Sequence, residues 1–277
     1  MLRSWLLFRR KLRAEHVTAP YPLPDLLSPA TLISLLVVLT GPTTGSLGGQ
    51  TAIFLAAGKP SQILLLGRNA SKSESVIQEI QSISPSTSVQ FIAIDLTRYE
   101  SIRSAAAVIS KTVDKIDVLI NGAGVMSLKD FTLTPEDIEI QFGANHIGHF
   151  LLTNLLLPKI LAAGKGARIV TLSSNSMELG PVRFDDYNFQ DGKVYDRWDA
   201  YAQSKTANVL FTKYLAQKLA PKGILAFTLH PGMIWTGLGV HVEEEQWPIV
   251  KQKYDDVGKS SHSPLLFWHA LEYCEQC

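Results

Sequence analysis

Apolar residues in this chain gather in short runs, and between the runs they recur every three or four positions. The first run is Leu32-Ile-Ser-Leu-Leu-Val-Val-Leu39, and residues 62–66, 89–94, 117–120, 168–172 and 224–229 repeat its character. Short runs rich in β-branched residues and bounded by turn residues fit strands covered on both faces. The intervening stretches carry a helical period: 50–58, 71–82, 99–111, a long one running from Pro135 towards Leu161, and 200–219. Pro85 stops the second helix, and Pro158 stands near the end of the fourth. Strict alternation of strand and helix predicts an α/β fold, a doubly wound parallel sheet in a single domain. That domain is expected over 31–240, where no solenoid-type repeat and no break in composition occurs. Residues 1–30 read as a basic, Pro-rich extension and 241–277 as a tail of different character. No alternating seventh strand is legible in the tail, so the sixth strand is predicted to be an edge.

Sheets of this kind bind ligands beyond the carboxyl ends of their strands, and the polar motifs of this chain fall there. After the first strand comes Thr40-Gly41-Pro-Thr-Thr-Gly45-Ser-Leu-Gly48-Gly49. Glycines let the backbone turn tightly and approach a pyrophosphate, and the next helix offers free N–H groups to the anion. That position predicts dinucleotide binding; the bland alternative is an ordinary strand-to-helix turn. At the end of the second strand an acidic residue would bind a ribose 2′-hydroxyl, but Arg68 stands there, which suits a 2′-phosphate and favours NADP over NAD. Asp95, after the third strand, reads either as an adenine contact or as a helix-start residue. Tyr201 and Lys205 lie one turn apart on one helix face. An ammonium held beside a phenol favours the phenolate and lowers the phenol's pKa, which prepares a tyrosine for proton transfer.

Composition narrows the classes. Charged residues are 18% and hydrophobic ones 46%, so the chain is neither disordered nor collagen-like. A net charge of +1 gives no reason to expect nucleic acid as a partner. The two cysteines, Cys274 and Cys277, form a lone pair without histidines at zinc-site spacing, so neither a metal site nor a disulfide framework is expected, and a cytoplasmic setting is. Arg3, Arg9, Arg10, Lys11 and Arg13 are mixed with apolar residues near the start. Two readings stay open for that segment: a targeting or weakly membrane-associated stretch, and a disordered extension.

Seven stretches, in order, give the chain a family resemblance: 40–48, Asp95-Leu96, Val118-Leu-Ile-Asn-Gly-Ala-Gly-Val-Met126, Asn145-His-Ile-Gly-His-Phe150, Arg168-Ile-Val-Thr-Leu-Ser-Ser174, 201–205 and His230-Pro-Gly232. It resembles the short-chain dehydrogenases/reductases, most of all the retinol dehydrogenase-like members. The resemblance implies a Rossmann fold and a catalytic set of Ser174, Tyr201, Lys205 and Asn145. It implies cofactor contacts from Gly41, Thr44, Gly45, Leu47, Gly48, Arg68, Asp95, Leu96, Asn121, Ala123, Gly124, Tyr201, Lys205, Pro231, Gly232, Ile234 and Thr236. The family's second Asn is replaced here by Gly122, and Leu47 holds the place of the third turn glycine, with Gly48 one residue later. A long insertion, 175–200, carries Phe184, Tyr187, Phe189, Tyr195 and Trp198, which suit an apolar substrate or simply pack the loop.

The implied activity is an NADP-dependent oxidoreductase, with NAD as the other cofactor, that interconverts a carbonyl and an alcohol on a hydrophobic small molecule. By the same resemblance the 135–161 and 200–219 helices would form a homodimer contact. The competing readings are a non-catalytic dinucleotide-binding relative, including a truncated gene product without activity, and a sugar-nucleotide epimerase. The glycine spacing and the small room for a second domain argue against the epimerase.

Overall fold

The computed structural model describes residues 34–260 apart from Met233 and Trp235. The basic start of the chain, the end of the 241–277 tail and both cysteines therefore lie outside the described residues. Strands β1 (Leu36–Thr40), β2 (Gln62–Gly67), β3 (Ser88–Ala93), β4 (Val118–Asn121), β5 (Arg168–Leu172) and β6 (Leu225–Leu229) form one sheet in the order β3-β2-β1-β4-β5-β6. Every pairing is parallel. The helices are α1 (Leu47–Ala56), α2 (Glu74–Ile83), α3 (Tyr99–Thr112), α4 (Ile140–Ala163), α5 (Arg197–Leu219) and α6 (Gln246–Ser260).

The unbroken apolar character of β1 follows from its place at the centre. Leu36 and Val38 pack with Ile102 and Ile109 of α3, Leu152 and Leu156 of α4, and Phe211 of α5. Val37 and Leu39 face the other way, onto Ala52 and Ile53 of α1 and Val76 and Ile80 of α2. Successive side chains point to opposite faces, so a strand covered on both sides must be apolar at every position. The chain runs outward from β1 to β2 and β3, then returns to β4 on β1's other side. That reversal opens a crevice at the carboxyl ends of β1 and β4.

Helix α1 begins at Leu47 rather than Gln50 and α2 at Glu74 rather than Ser71, and three further elements depart from expectation. Helix α4 starts at Ile140 rather than Pro135. Asp137 sits at φ 59°, which no right-handed helix accommodates, and Leu133 pairs with Glu139 in an antiparallel bridge. The Glu139 carboxylate then caps the helix by accepting from the N–H groups of Gln141 and Phe142. Helix α5 begins three residues early, at Arg197, because the Asp196 carboxylate accepts from the Trp198 and Asp199 N–H groups. Helix α6 lies in a stretch where no helix was expected. The predicted edge is present: among the described residues no strand pairs with the outer side of β6, and Leu225, Phe227 and Leu229 are 37%, 44% and 41% exposed.

Candidate active site

The turn after β1 is built by its glycines. Gly41 takes φ 80° and Gly45 φ 74°, both in the region that favours glycine. A Cβ on Gly48 would stand 2.3 Å from the Gly41 carbonyl oxygen, so Gly48 fills the close-packing place that the spacing left open between it and Leu47. Leu47 is the first residue of α1, and Ser46 caps that helix by accepting from Gly49 N–H at 3.0 Å. Thr44 is exposed and ties the turn to the segment after β2 through the Lys72 carbonyl and the Ser75 hydroxyl. Arg68 is exposed just past the end of β2.

The Thr40 hydroxyl joins this turn to the next one. It accepts from the Gly122 and Ala123 N–H groups at 2.9 and 3.0 Å, pinning the loop after β4 against the end of β1. Gly124 is exposed in that loop, 3.0 Å from the Asn145 Oδ1 and 3.6 Å from the Lys205 Nζ when measured from where a Cβ would be. Asn121 is placed differently from its neighbours. Its side chain is 1% exposed and donates to Thr153 on α4, so the backbone of 122–124 rather than the Asn121 amide borders the crevice.

The four predicted catalytic residues come together here. Asn145 lies in a π-helical turn within α4, Gly143–Ile147, a wider turn that shifts side chains out of the regular helical register. It is fully buried; its Oδ1 accepts from Val125 N–H at 2.8 Å, and its Nδ2 donates to the Val125 carbonyl and the Ser204 hydroxyl. Ser174 follows β5 and is half-buried. Tyr201 and Lys205 project from α5, and the Lys205 Nζ lies 5.5 Å from the Tyr201 ring centre.

Electrostatics correct one expectation. Burial pushes the Tyr201 phenol above its ordinary pKa, and the neighbouring Ser174 hydroxyl pulls against that rise. Lys205 is not among the groups that lower it: its Nζ donates to the Leu172 carbonyl at 3.2 Å. Burial instead lowers Lys205 itself to about 8. Tyr201 is thus a protonated donor beside an ammonium that burial has made easier to discharge.

The remaining predicted positions border the crevice less closely. Asp95 binds its own Thr97, backbone and hydroxyl, as a helix-start residue does. Leu96 packs at the edge of the core, and its carbonyl lies 2.4 Å from where a Cβ on Gly148 would be. Pro231 and Gly232 (φ 85°) follow β6, Ile234 is exposed, and Thr236 caps a short 3₁₀ turn by accepting from Leu238 N–H.

The sequence reading missed three side chains. Ser176 donates its hydroxyl to Ser174 at 2.7 Å; the Ser-Ser-Asn-Ser run was its only signal. Tyr254 of α6 donates to Asn175 at 3.1 Å, and its phenol lies close enough to raise the Tyr201 pKa further. His149, fully internal on α4, touches both Thr40 and Asn145. Among the described residues no cluster of His, Cys, Asp or Glu is arranged to hold a metal ion.

Comparison with known proteins agrees with this geometry. The family model of short chain dehydrogenases matches residues 36–188. The chain is 43% identical to retinol dehydrogenase 13 from Homo sapiens over 214 residues, which is 77% of this chain and 63% of that protein. It is 38% identical to retinol dehydrogenase 11 from Homo sapiens over 76% of this chain and 64% of that one. The chain thus spans less than two thirds of the length of these relatives. Among solved structures, an uncharacterized protein from Mycobacterium paratuberculosis superimposes with a TM-score of 0.62 at 36% identity, covering 77% of this chain and 75% of that one. A short chain dehydrogenase from Escherichia coli CFT073, complexed with NADPH, shares the fold with a TM-score of 0.60 at 22% identity, covering 78% of this chain and 85% of that one.

Proposed function

This chain belongs to the short-chain dehydrogenase/reductase family, and from that premise we propose that it is an NADP-dependent oxidoreductase interconverting a carbonyl and an alcohol on an apolar small molecule. The observation that carries the reading is the convergence of Ser174, Tyr201, Lys205 and Asn145 beside a glycine turn with the close packing a dinucleotide requires. The residues present fit such a cofactor. Gly45 is exposed with open space where a Cβ would be, and the α1 N-terminus offers N–H groups to a pyrophosphate. Exposed Arg68 supports a 2′-phosphate and therefore NADP. When bound, the nicotinamide supplies or accepts the hydride.

The protein's own part is positioning and proton transfer. The hydroxyls of Ser174 and Tyr201 donate to a substrate carbonyl oxygen and stabilise the negative charge that develops there. Tyr201 then gives up its phenolic proton to that oxygen. A charged Lys205 favours the resulting phenolate once it turns from the Leu172 carbonyl towards the crevice. Asn145, clamped at both amide atoms, holds the loop 124–125 in place. Exposed Phe184 and Tyr187 on the insertion support an apolar substrate. Exposed Phe150, Leu210 and Tyr214 on α4 and α5 support a homodimer through those helices, and a monomer mass in sedimentation would refute that part.

Turnover of NADPH with a panel of ketones, aldehydes and quinones tests the reading. Tyr201→Phe is expected to lower kcat by at least about a hundredfold. An unchanged rate would rule out Tyr201 as the donor.

A further inference from the structure

The Thr40 hydroxyl has four neighbours within reach. It accepts from Gly122 and Ala123 N–H, lies 2.9 Å from His149 Nε2, and lies 3.4 Å from the Ile120 carbonyl. A hydroxyl offers two lone pairs and one proton. The two amides use the lone pairs, so the proton goes to the nearer remaining acceptor, His149 Nε2, which must then be bare. The other ring nitrogen, Nδ1, lies 2.9 Å from the Asn145 main-chain carbonyl. A carbonyl only accepts, so Nδ1 carries the proton. The opposite tautomer would set the Nδ1 lone pair against a carbonyl lone pair and ask Thr40 to accept a third bond. Only one arrangement of protons satisfies every group.

His149 is 1% exposed, and burial lowers its pKa to about 4, which keeps the ring neutral. Its contacts tie together the two halves of the site. On one side stand Thr40, immediately before the glycine turn, and the backbone of Gly122 and Ala123. On the other stands Asn145, in the π-turn, whose side chain reaches Val125 and the Ser204 hydroxyl of α5.

We propose that His149 is a positioning residue of the active site, fixed as the neutral Nδ1–H tautomer, that couples the dinucleotide-binding turn to the helix carrying Asn145. The proposal rests on the catalytic reading given above. Without the ring, the Asn145 carbonyl loses its Nδ1–H donor and the Thr40 hydroxyl is free to turn to Ile120, so the turn and the helix lose their fixed mutual register. Misplacement of reacting groups by a fraction of an ångström costs rate out of proportion to stability.

Two measurements on the full chain test this. Nitrogen-15 NMR of histidine-labelled wild-type protein reads the tautomer without any turnover; a bare Nε2 with a protonated Nδ1, unchanged from pH 6 to 8, is expected. An Nε2–H ring, or one that titrates in that range, overturns the proposal. The second compares His149→Leu, which keeps bulk but neither hydrogen bond, with His149→Gln, which keeps one donor and one acceptor. His149→Leu should weaken NADPH binding, followed by its fluorescence, by roughly tenfold and lower kcat by a similar factor, and His149→Gln should recover most of both. If both variants merely lower Tm and keep wild-type NADPH affinity and kcat, the ring is structural and the proposal fails. Should wild-type protein turn over nothing, the catalytic reading fails separately, while the tautomer and the NADPH affinities still decide the role of His149.

Discussion

A methyl group on Gly48 would lie 2.3 Å from the Gly41 carbonyl oxygen and 2.9 Å from its carbon, and both are backbone atoms that cannot rotate aside. Gly48→Ala must therefore push α1 away from the turn. We expect the NADPH dissociation constant to rise at least about tenfold and stability to fall by about 1–3 kcal/mol. Fluorescence titration and urea unfolding measure the two, and wild-type affinity in the variant would show that Gly48 does not hold the turn closed. At this scale the sequence disclosed what spacing can carry. Tyr201 and Lys205 share a helix face, and Ser174 and Asn145 were found through the motifs around them. It could not disclose His149 or Ser176, whose parts depend on partners far along the chain or on how one hydroxyl spends its proton. Nor could it disclose the sign of the Tyr201 shift, because burial and the direction of the Lys205 Nζ are set by the fold.

Elements were legible where a pattern is local. The central strands announced themselves because burial on both faces confines their polar residues, Thr40 and Asn121, to the strand ends. Element boundaries set by a single cap were less legible: Glu139 at α4 and Asp196 at α5 move their helix starts by several residues. Helix α6 escaped because its attachment is tertiary: Val250 is buried and Trp247 packs beside Trp198, and polar contacts add to these. Lys253 donates to Asp196 at 2.9 Å and to Asp199 at 2.6 Å, and Tyr254 reaches Asn175. The α6 side therefore holds the N-terminus of the helix that carries Tyr201. Lys253 is 28% exposed and its partners more so, which limits the pair's contribution to about 1 kcal/mol or less. Lys253→Met should accordingly leave global stability nearly unchanged while speeding amide exchange across 246–260. Equal exchange in the two proteins would show that α6 is held by other contacts.

At the scale of the whole molecule, the parallel α/β architecture followed from alternation alone, whereas the response to pH required knowing which ionisable groups the fold buries. Burial lowers His146 and His149 to about 4 from 6.5, and lowers His230 in the same direction. Each stays neutral when folded while the unfolded chain takes up a proton, so its stabilising contribution is present above pH 6.5 and is lost as pH falls towards 4. Glu139 does the reverse. Burial raises it to about 7 from 4.5, so the folded state keeps a proton that the unfolded chain releases, and its contribution fades as pH rises through 7. Between about pH 5 and 6.5 two strongly shifted histidines oppose one carboxyl, and the unfolded state binds roughly one more proton than the native state. Stability should therefore rise with pH across that window, by about 1 kcal/mol per unit. Glu139→Gln keeps an oxygen to cap α4 but removes the opposing titration, so the slope should become about twice as steep even where absolute stability drops. Urea unfolding of both proteins at several pH values measures this, and a wild-type stability that is flat or falling from pH 5 to 6.5 would mean that the two histidines are not held neutral in the core.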